Sequence, residues 1–151
     1  MSFSLELRSS LAASADEVWA HASTMEGVNS ELAPFVRMTV PGSMRARSLS
    51  DVPLGDEAFV STLLAFGWLP FDRHHLRLLE LGDRSFVEES WSWLQRRWRH
   101  ERTVTPDGDG CLVTDRLVVE PRGAPRALVE PMVRAIFEAR HRALARRFGS
   151  R

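Results

Sequence analysis

Apolar and polar residues alternate along most of the chain with the two-residue period of β-strands. The first such stretch is Phe3–Leu11, in which Phe3, Leu5 and Leu7 share one face, and the second covers residues 36–40. Five more follow at 58–66, 74–81, 86–94, 97–105 and 111–120, separated by turn signals such as Gly67 with Pro70. Strands joined by short turns pair with antiparallel neighbours, so the last five are predicted to form an antiparallel meander.

Two short helices are predicted between the first two strands. Ser14 and Glu17 have the spacing of a capping box, which favours a helix through Ala22. A second helical piece is expected after Gly27 and should end at Pro34, because the residue before a proline disfavours helical geometry. The stretch from residue 41 to residue 56 is rich in Ser, Asp, Pro and Gly, which indicates a loop.

The last part of the chain predicts one long helix. Its apolar face has an arginine in the middle and consists of Val133, Ile136, Phe137, Arg140, Leu144 and Phe148. Pro131 fits best in the first turn, where its missing amide costs nothing, although it could instead kink a longer helix that begins near Pro125. From Pro131 to Phe148 such a helix is roughly 27 Å long, enough to cross the sheet.

Length and composition favour one α+β domain over residues 1–151. The chain is 44% hydrophobic and 26% charged, values that exclude a disordered tail and a membrane protein. No apolar run is long enough to span a bilayer, and the alternating N-terminus does not resemble a signal peptide. The single cysteine, Cys111, agrees with a reducing compartment. We therefore expect a cytoplasmic protein that is a monomer or a homodimer.

Charge argues against nucleic acid as a partner. The 20 basic and 20 acidic residues cancel, so no overall field attracts a polyanion. Every basic residue is arginine, and the absence of lysine excludes Schiff-base chemistry and a phosphate-binding P-loop. Arginine pairs such as Arg96–Arg97 are read as solvated surface.

Several polar residues are predicted to face the interior of the sheet. Alternation in the sixth strand puts His100 and Arg102 beside Trp98, and alternation in the seventh puts Asp115 among apolar residues. The fifth strand is ambiguous: its inward set is either Phe86, Glu88, Ser90 and Ser92, or Val87, Glu89, Trp91 and Trp93.

Burying these charges is costly unless they pair with one another or with trapped water. Arg140 on the apolar helix face could complete such a network. Three interpretations remain open: a structural ion-pair cluster, the polar end of a ligand cavity, or a catalytic acid–base set.

Other site chemistry has little support in the sequence. His74 and His75 are adjacent on a strand and point to opposite faces, and spaced metal-ligand pairs are absent, so no metal is expected. Nucleophile motifs and glycine-rich cofactor fingerprints are also missing, so no cofactor is expected. Cys111 is interpreted as a small strand hydrophobe. Trp68, Trp91, Trp93 and Trp98 either line a cavity or are ordinary core and surface aromatics.

The element order and four local segments resemble the START-like (SRPBCC) helix-grip superfamily, which includes Bet v 1-like and polyketide cyclase/dehydrase-like proteins. The segments are 25–34 with Met38 and Pro41, 98–100, 109–115, and 137–144 with Phe148. The resemblance covers nearly the whole chain and implies a curved, seven-stranded antiparallel sheet that wraps around the long C-terminal helix. Where related chains often carry Gly-Pro between the fifth and sixth strands, this chain has Trp93–Leu94, so that rim is expected to be bulkier.

The resemblance also implies a cavity between sheet and helix. The candidate ligand-binding residues, from strand alternation and from the resemblance together, are Glu88, Ser90, Trp98, His100, Arg102, Asp115, Phe137 and Arg140. We expect this cavity to bind a small hydrophobic ligand such as a lipid, an isoprenoid or a polyketide.

Two alternatives stay open. The first is a cyclase or dehydratase in which His100 acts as general acid or base, oriented by Asp115, while Arg102 or Arg140 holds an enolate or carboxylate. Catalysis of this kind requires His100 to be free toward an open cavity, whereas binding tolerates a locked His100. The second alternative is a protein-interaction module, which predicts a filled core and an exposed apolar patch.

Overall fold

The computed structural model describes residues 1–42 and 48–151. Seven strands are present: β1 (Phe3–Leu11), β2 (Val36–Met38), β3 (Glu57–Ala65), β4 (Leu69–Gly82), β5 (Ser85–Ser92), β6 (Gln95–Asp107) and β7 (Gly110–Pro121). The helices are α1 (Ala15–Ala22), α2 (Met25–Leu32) and α3 (Arg126–Phe148), with a short 3₁₀ helix at Leu49–Asp51. The loop predicted for residues 41–56 therefore contains this 3₁₀ helix, and its residues 43–47 lie outside the described residues.

The strands form one antiparallel sheet in the order β1-β7-β6-β5-β4-β3-β2. Consecutive hairpins build β2 to β7, and β1 then pairs with β7, from Phe3 opposite Val119 to Leu11 opposite Cys111. The sheet curls, and α3 lies along its concave face. The predicted α+β helix-grip architecture is confirmed.

Strand faces follow the predicted alternation. His100, Arg102 and Asp115 are all buried on the concave side, as expected for β6 and β7. The ambiguity in β5 resolves in favour of Phe86, Glu88, Ser90 and Ser92, which are buried. The reason is register: Glu88 lies opposite His100, and residues directly opposite in an antiparallel pair share a face.

The fourth strand is longer than predicted. It begins at Leu69 rather than at residue 74, so Pro70 lies inside it and not in the turn. A proline cannot donate a ladder hydrogen bond, and the register between β3 and β4 shifts between Leu63 and Leu64, where Leu64 is the partner of Pro70. The irregularity lets the strand continue through the proline.

The two short helices are capped as their sequences suggest, with two differences. The Ser14 hydroxyl accepts a hydrogen bond from the Glu17 amide at 3.2 Å, but no return bond from the Glu17 side chain forms. The second helix begins at Met25, before Gly27, because the Thr24 side chain caps it by accepting from the Gly27 amide at 3.0 Å. A threonine N-cap was the signal that the sequence prediction missed.

The preferred placement of Pro131 in the first turn was wrong, and the longer helix that begins near Pro125 is present. The last helix runs from Arg126 to Phe148 with Pro125 as its N-cap, so Pro131 lies within the helix. Its ring leaves the Ala127 carbonyl without an amide partner, and both residues are exposed, so water can satisfy that group. At 23 residues the helix is about 35 Å long.

Apolar contacts between helix and sheet lie at both ends of α3. Val129, Val133 and Phe137 pack on Phe3, Leu5 and other residues of β1 and β7. Leu144 packs with residues of α1, β6 and β7. Each such buried side chain contributes about 1.5–3 kcal/mol of transfer free energy. Within residues 1–42 and 48–151, no helix is long and apolar enough to cross a membrane.

Candidate functional site

A cavity of about 360 Å³ lies between the concave face of the sheet and α3. Most of its wall is apolar and comes from α2, from β2 to β6 and from one side of α3. Its mouth is marked by lining residues that are also exposed to solvent: Phe71, Leu94, Leu128 and Met132. Sheet and helix do not fill the space that they enclose, and the volume is in the range of small-molecule sites.

Arg102 is the centre of a buried ionic network behind the cavity. Its Nε and Nη2 atoms donate to the two carboxylate oxygens of Asp115 at 2.8 and 2.7 Å. Its Nη1 atom donates to Glu31 at 2.9 Å. Burial alone would lower the pKa of Arg102, but the two carboxylates outweigh this effect and raise the pKa above its usual value. The guanidinium is therefore always charged, and it neutralises acids from the sheet and from α2.

Asp115 accepts four hydrogen bonds. Besides the two from Arg102, its oxygens lie 2.7 Å from Nε2 of His100 and 2.7 Å from Nε2 of His141 on α3. Burial would raise the pKa of this carboxyl, but the charge of Arg102, the charge of His100 and their hydrogen bonds hold it well below its usual value. Asp115 is thus an ionised acceptor, and this fixes the orientation of both imidazole rings.

The network also joins the two helices that flank the cavity. Glu31 on α2 accepts from Arg102 and from Nε of Arg140 on α3, the latter at 3.2 Å. The guanidinium of Arg140 also lies 4.8 Å from the centre of the Phe137 ring. Among the described residues only Nε of Arg140 has a hydrogen-bond partner, so its two Nη groups can donate into the cavity that Arg140 lines.

A second buried acid lies on the cavity wall itself. Glu88 Oε2 is 2.6 Å from Nε2 of His74 and 2.6 Å from the Ser90 hydroxyl. Burial would raise the pKa of Glu88, but the hydrogen bond and charge of His74, the charge of His100 and the Ser90 hydroxyl lower it overall. Glu88 Oε1 is 4.0 Å from Nδ1 of His100, too long for a hydrogen bond. The two acids therefore lie on either side of His100.

The eight predicted site residues are all brought together on the concave side. Five of them line the cavity: Glu88, Trp98, His100, Phe137 and Arg140. The other three are buried behind this wall and support it: Ser90, Arg102 and Asp115. The arrangement thus contains both an ion-pair cluster and a polar cavity wall, which the sequence had left as separate interpretations.

Sequence reasoning missed three members of the network, namely Glu31, His74 and His141. His74 had been considered only as a metal ligand, although strand alternation puts it on the same face as Leu76 and Leu78. His141 was missed because only Arg140 was assigned to the inward face of the last helix, although such a face is wide enough to include both residues. For Glu31 no local signal existed, since its partner Arg102 is 71 residues away.

Two further polar residues near the mouth were also missed. The carboxylate of Asp72 accepts from the amides of Arg73 at 2.8 Å and Leu94 at 3.2 Å, which ties β4 to the β5–β6 turn. Gln95 follows as the first residue of β6, and its Oε1 atom is buried without a partner among the described residues. Both residues line the cavity, so a bound molecule meets hydrogen-bond acceptors near its entrance.

Only one of the four tryptophans considered lines the cavity. Trp98 lies on its wall, whereas Trp68, Trp91 and Trp93 are exposed. Cys111 is fully buried, and burial raises the pKa of its thiol, as expected for a strand hydrophobe. No group of three potential metal ligands occurs within the described part of the chain.

The comparisons with known proteins agree with this geometry. A family model described as "Domain of unknown function (DUF8410)" matches residues 9–148. No curated protein shows a significant match to the sequence.

Solved structures match almost the whole chain. A protein from Chromobacterium violaceum superposes with a TM-score of 0.70 at 16% identity, over 99% of each chain. A START superfamily protein from Mycobacterium smegmatis gives 0.65 at 14% identity, over 97% of this chain and 96% of the other. The ZhuI aromatase/cyclase from Streptomyces sp. R1128 gives 0.68 at 15% identity, over 95% of this chain and 92% of the other. At such identities these matches show a shared fold, and the predicted START-like helix-grip fold is confirmed.

Proposed function

The chain belongs to the DUF8410 family, a domain family of unknown function, and we propose that it binds a small hydrophobic molecule in the cavity between sheet and α3. A lipid, an isoprenoid or a polyketide is the class of ligand that suits this space. The single observation that carries the proposal is the apolar cavity of about 360 Å³, because an unfilled space of this size is costly unless something occupies it.

The polar groups on the wall would orient such a ligand. Arg140 offers donors deep in the cavity, while Asp72 and Gln95 offer acceptors near the mouth. A molecule with an apolar body and one or two oxygen functions matches this distribution. The fold is shared with START-superfamily and aromatase/cyclase structures, which supports a ligand-binding role without indicating which ligand.

The geometry of His100 favours binding over catalysis by that residue. The ring is 2% exposed, its Nε2 atom is bound to Asp115, and the edges of Phe86 and Phe137 enclose it. A general acid or base must exchange protons with the substrate, and both ring nitrogens of His100 lie next to carboxylates, since Nδ1 is 4.0 Å from Glu88 Oε1. The open cavity also argues against a simple interaction module, which predicts a filled core.

Native mass spectrometry of protein purified from its host tests the proposal, followed by denaturing extraction of any bound molecule. We expect a stoichiometric apolar compound. Titration with a fluorescent apolar probe such as anilinonaphthalene sulfonate then tests whether the cavity is the binding site. Val133→Phe adds volume inside the cavity and should abolish probe binding.

The matched control is Val118→Phe. It makes the same change on β7, but on the face of the sheet that points away from the cavity. It should leave probe binding unchanged. Equal probe binding in both variants, or a clean apoprotein that takes up no lipid or polyketide, would contradict the proposal.

A second candidate function is proton transfer on a bound carbonyl compound, and one observation favours it. His74 lines the cavity with Nε2 bound to Glu88, while its Nδ1 atom has no partner among the described residues. An imidazole oriented by a buried carboxylate is a suitable general base. Hydrogen–deuterium exchange at the α-carbon of a cyclic ketone, followed by NMR, tests this: the native chain should accelerate it, and His74→Gln should not. Equal exchange rates for the two would exclude the role of His74.

A further inference from the structure

The exposed large apolar residues are concentrated at one end of the molecule. Among the described residues, nine of the twelve lie around the cavity mouth: Phe35, Phe66, Trp68, Leu69, Phe71, Trp93, Leu94, Leu128 and Met132. Topology explains the clustering, because the last residues of β3 and β5 and the first residues of α3 all lie at this end. We call this surface the mouth rim.

The turns at this end have unusual compositions. Turn tips normally carry Gly, Asn, Asp or Ser, and those at the opposite end do: Asp83 follows Gly82 at the end of β4, and Gly108–Asp109 connects β6 to β7. At the mouth, the β3–β4 turn presents Phe66 and Trp68, and the β5–β6 turn presents Trp93. These three side chains are 68%, 71% and 62% exposed. Large aromatics this exposed on two neighbouring turns are unusual for a surface that meets only water.

Exposed basic residues are also concentrated at the end of the molecule that carries the mouth rim. Exposed arginines surround the mouth rim: Arg37, Arg73, Arg96, Arg122 and Arg126. Two acids offset part of this charge, since Glu120 is 3.8 Å from Arg96 and Glu130 is 3.1 Å from Arg126. At the mouth rim the five arginines therefore exceed these two acids. The opposite end carries both signs, with exposed acids at Asp83, Asp107 and Asp109 and basic residues such as Arg84 and Arg146.

From this arrangement we propose that the mouth rim docks on the surface of an anionic lipid bilayer. Tryptophan and phenylalanine partition into the interface, and the flanking guanidinium groups meet anionic headgroups. Docking in this orientation places the opening of the cavity against the lipid, so an apolar molecule can enter or leave without crossing water.

Charge complementarity selects this occupant over a second copy of the chain. A symmetric dimer through the mouth rim would place Arg96, Arg122 and their neighbours opposite the same residues of the other copy. Like charges facing each other across a closed interface are repelled, whereas an anionic bilayer attracts them. This role goes beyond the ligand binding proposed above and does not depend on it.

Vesicle co-sedimentation of the purified chain tests the proposal. We expect binding to vesicles of equimolar phosphatidylcholine and phosphatidylglycerol, weaker binding to phosphatidylcholine alone, and a decrease with added salt. The double variant W68A/W93A should lower the partition coefficient by at least about tenfold, because two large apolar side chains no longer enter the interface. Trp91→Ala is the matched control, since Trp91 is exposed but stacks on His75 on the outer face of the sheet.

The electrostatic part has its own pair of variants. R96Q/R122Q should reduce binding to the anionic vesicles only, while R84Q/R146Q, at the opposite end, should not. The proposal would be overturned if the native chain bound neither type of vesicle. It would also be overturned if W68A/W93A bound as well as the native chain. Self-association in sedimentation velocity that W68A/W93A abolishes would also overturn it, because a second copy would then cover the rim.

The two proposals fail in distinguishable ways. Trp68 and Trp93 do not line the cavity, so W68A/W93A should retain probe binding in vesicle-free solution. If the native chain did not bind the probe, the cavity proposal would be contradicted, but the proposal of membrane docking would be unaffected.

Discussion

At the residue scale, the interior of this protein is organised by charge as much as by apolar packing. Four buried carboxylates, Glu31, Asp72, Glu88 and Asp115, share the interior with two buried guanidinium groups, Arg102 and Arg140. Three buried histidines, at positions 74, 100 and 141, each lie within hydrogen-bond distance of one of these acids. The acids outnumber the arginines, so the imidazoles supply the remaining donors that the carboxylates require.

Arg102 is the residue whose loss should cost most. Arg102→Met keeps much of the volume but leaves Asp115 and Glu31 without their central partner. We expect the free energy of unfolding to fall by about 3–5 kcal/mol, the cost of leaving buried charge unpaired. Denaturant unfolding followed by circular dichroism measures the change.

The control for that variant is Arg116→Met. Arg116 also pairs with an acid, Glu6 at 2.7 Å, but on the exposed face of β7. Exposed pairs contribute little, so this variant should unfold near the native midpoint. Similar losses for both arginines would show that burial of the network is not what makes it stabilising.

At the element scale, two helices carry residues that ordinary helices avoid. Pro131 lies inside α3, and Gly27 lies inside α2. The first interrupts a backbone hydrogen bond on an exposed side, and the second allows a close approach between helices. Their substitution by alanine should therefore have opposite effects.

Pro131→Ala should stabilise the protein. Alanine restores the amide that can reach the Ala127 carbonyl and removes the steric conflict of the ring. We expect a gain of roughly 1–3 kcal/mol in the free energy of unfolding. A thermal melt that shows no increase in midpoint would mean that the surrounding structure already compensates for the proline.

Gly27→Ala should destabilise it, although alanine is intrinsically the better helix former. A Cβ atom at this position would overlap the backbone carbonyl of His21, which cannot move independently of α1. The expected loss exceeds the gain of about 1 kcal/mol in helix propensity. Gly42→Ala, where a Cβ meets no atom of residues 1–42 and 48–151 within 4 Å, is the control and should be close to neutral in denaturant unfolding.

At the scale of the whole molecule, the ionic network holds the helices over the sheet. Asp115 on β7 meets His141 on α3, and Glu31 on α2 meets Arg102 on β6 and Arg140 on α3. The roof of the cavity is thus attached through charged contacts as well as through the apolar contacts at both ends of α3. Protonation of the acids should loosen the entire assembly.

The stability of the protein should therefore decrease in acid. The pKa values of Asp115 and Glu88 are lower in the folded chain than in the unfolded chain, where carboxyl groups titrate near about 4. Their stabilisation is complete above that value and is lost as the pH falls from it through the folded values. Unfolding free energies measured between about pH 7 and pH 3 should decline most steeply below about pH 5.

Asp115→Asn separates this effect from general acid sensitivity. The variant should be less stable than the native chain near neutral pH, because the amide cannot neutralise Arg102. It should also show a shallower decline toward low pH, since one titrating group is gone. Parallel pH profiles for the two proteins would assign the acid sensitivity to other carboxyl groups.

The sequence predicted the strand faces well because alternation is a local property. His100, Arg102 and Asp115 were placed inside by the two-residue period alone, and the structure agrees. The start of β4 and the position of Pro131 were missed for a common reason: prolines were treated as boundaries, and tertiary contacts held the elements together across them. The Thr24 cap was missed because residues 25–32 carry only a weak apolar pattern.

By itself, then, the sequence determined the seven strands, the antiparallel meander of the last five, the long last helix and the polar residues of the inner face. Periodicity, turns and caps are written in neighbouring residues, so they can be read without a structure. Only the tertiary structure decided that Glu31 meets Arg102, that His74 pairs with Glu88, that the space under α3 is unfilled, and that exposed aromatics gather at its mouth. These features depend on how distant segments pack and on the volume left between them, which no local pattern specifies.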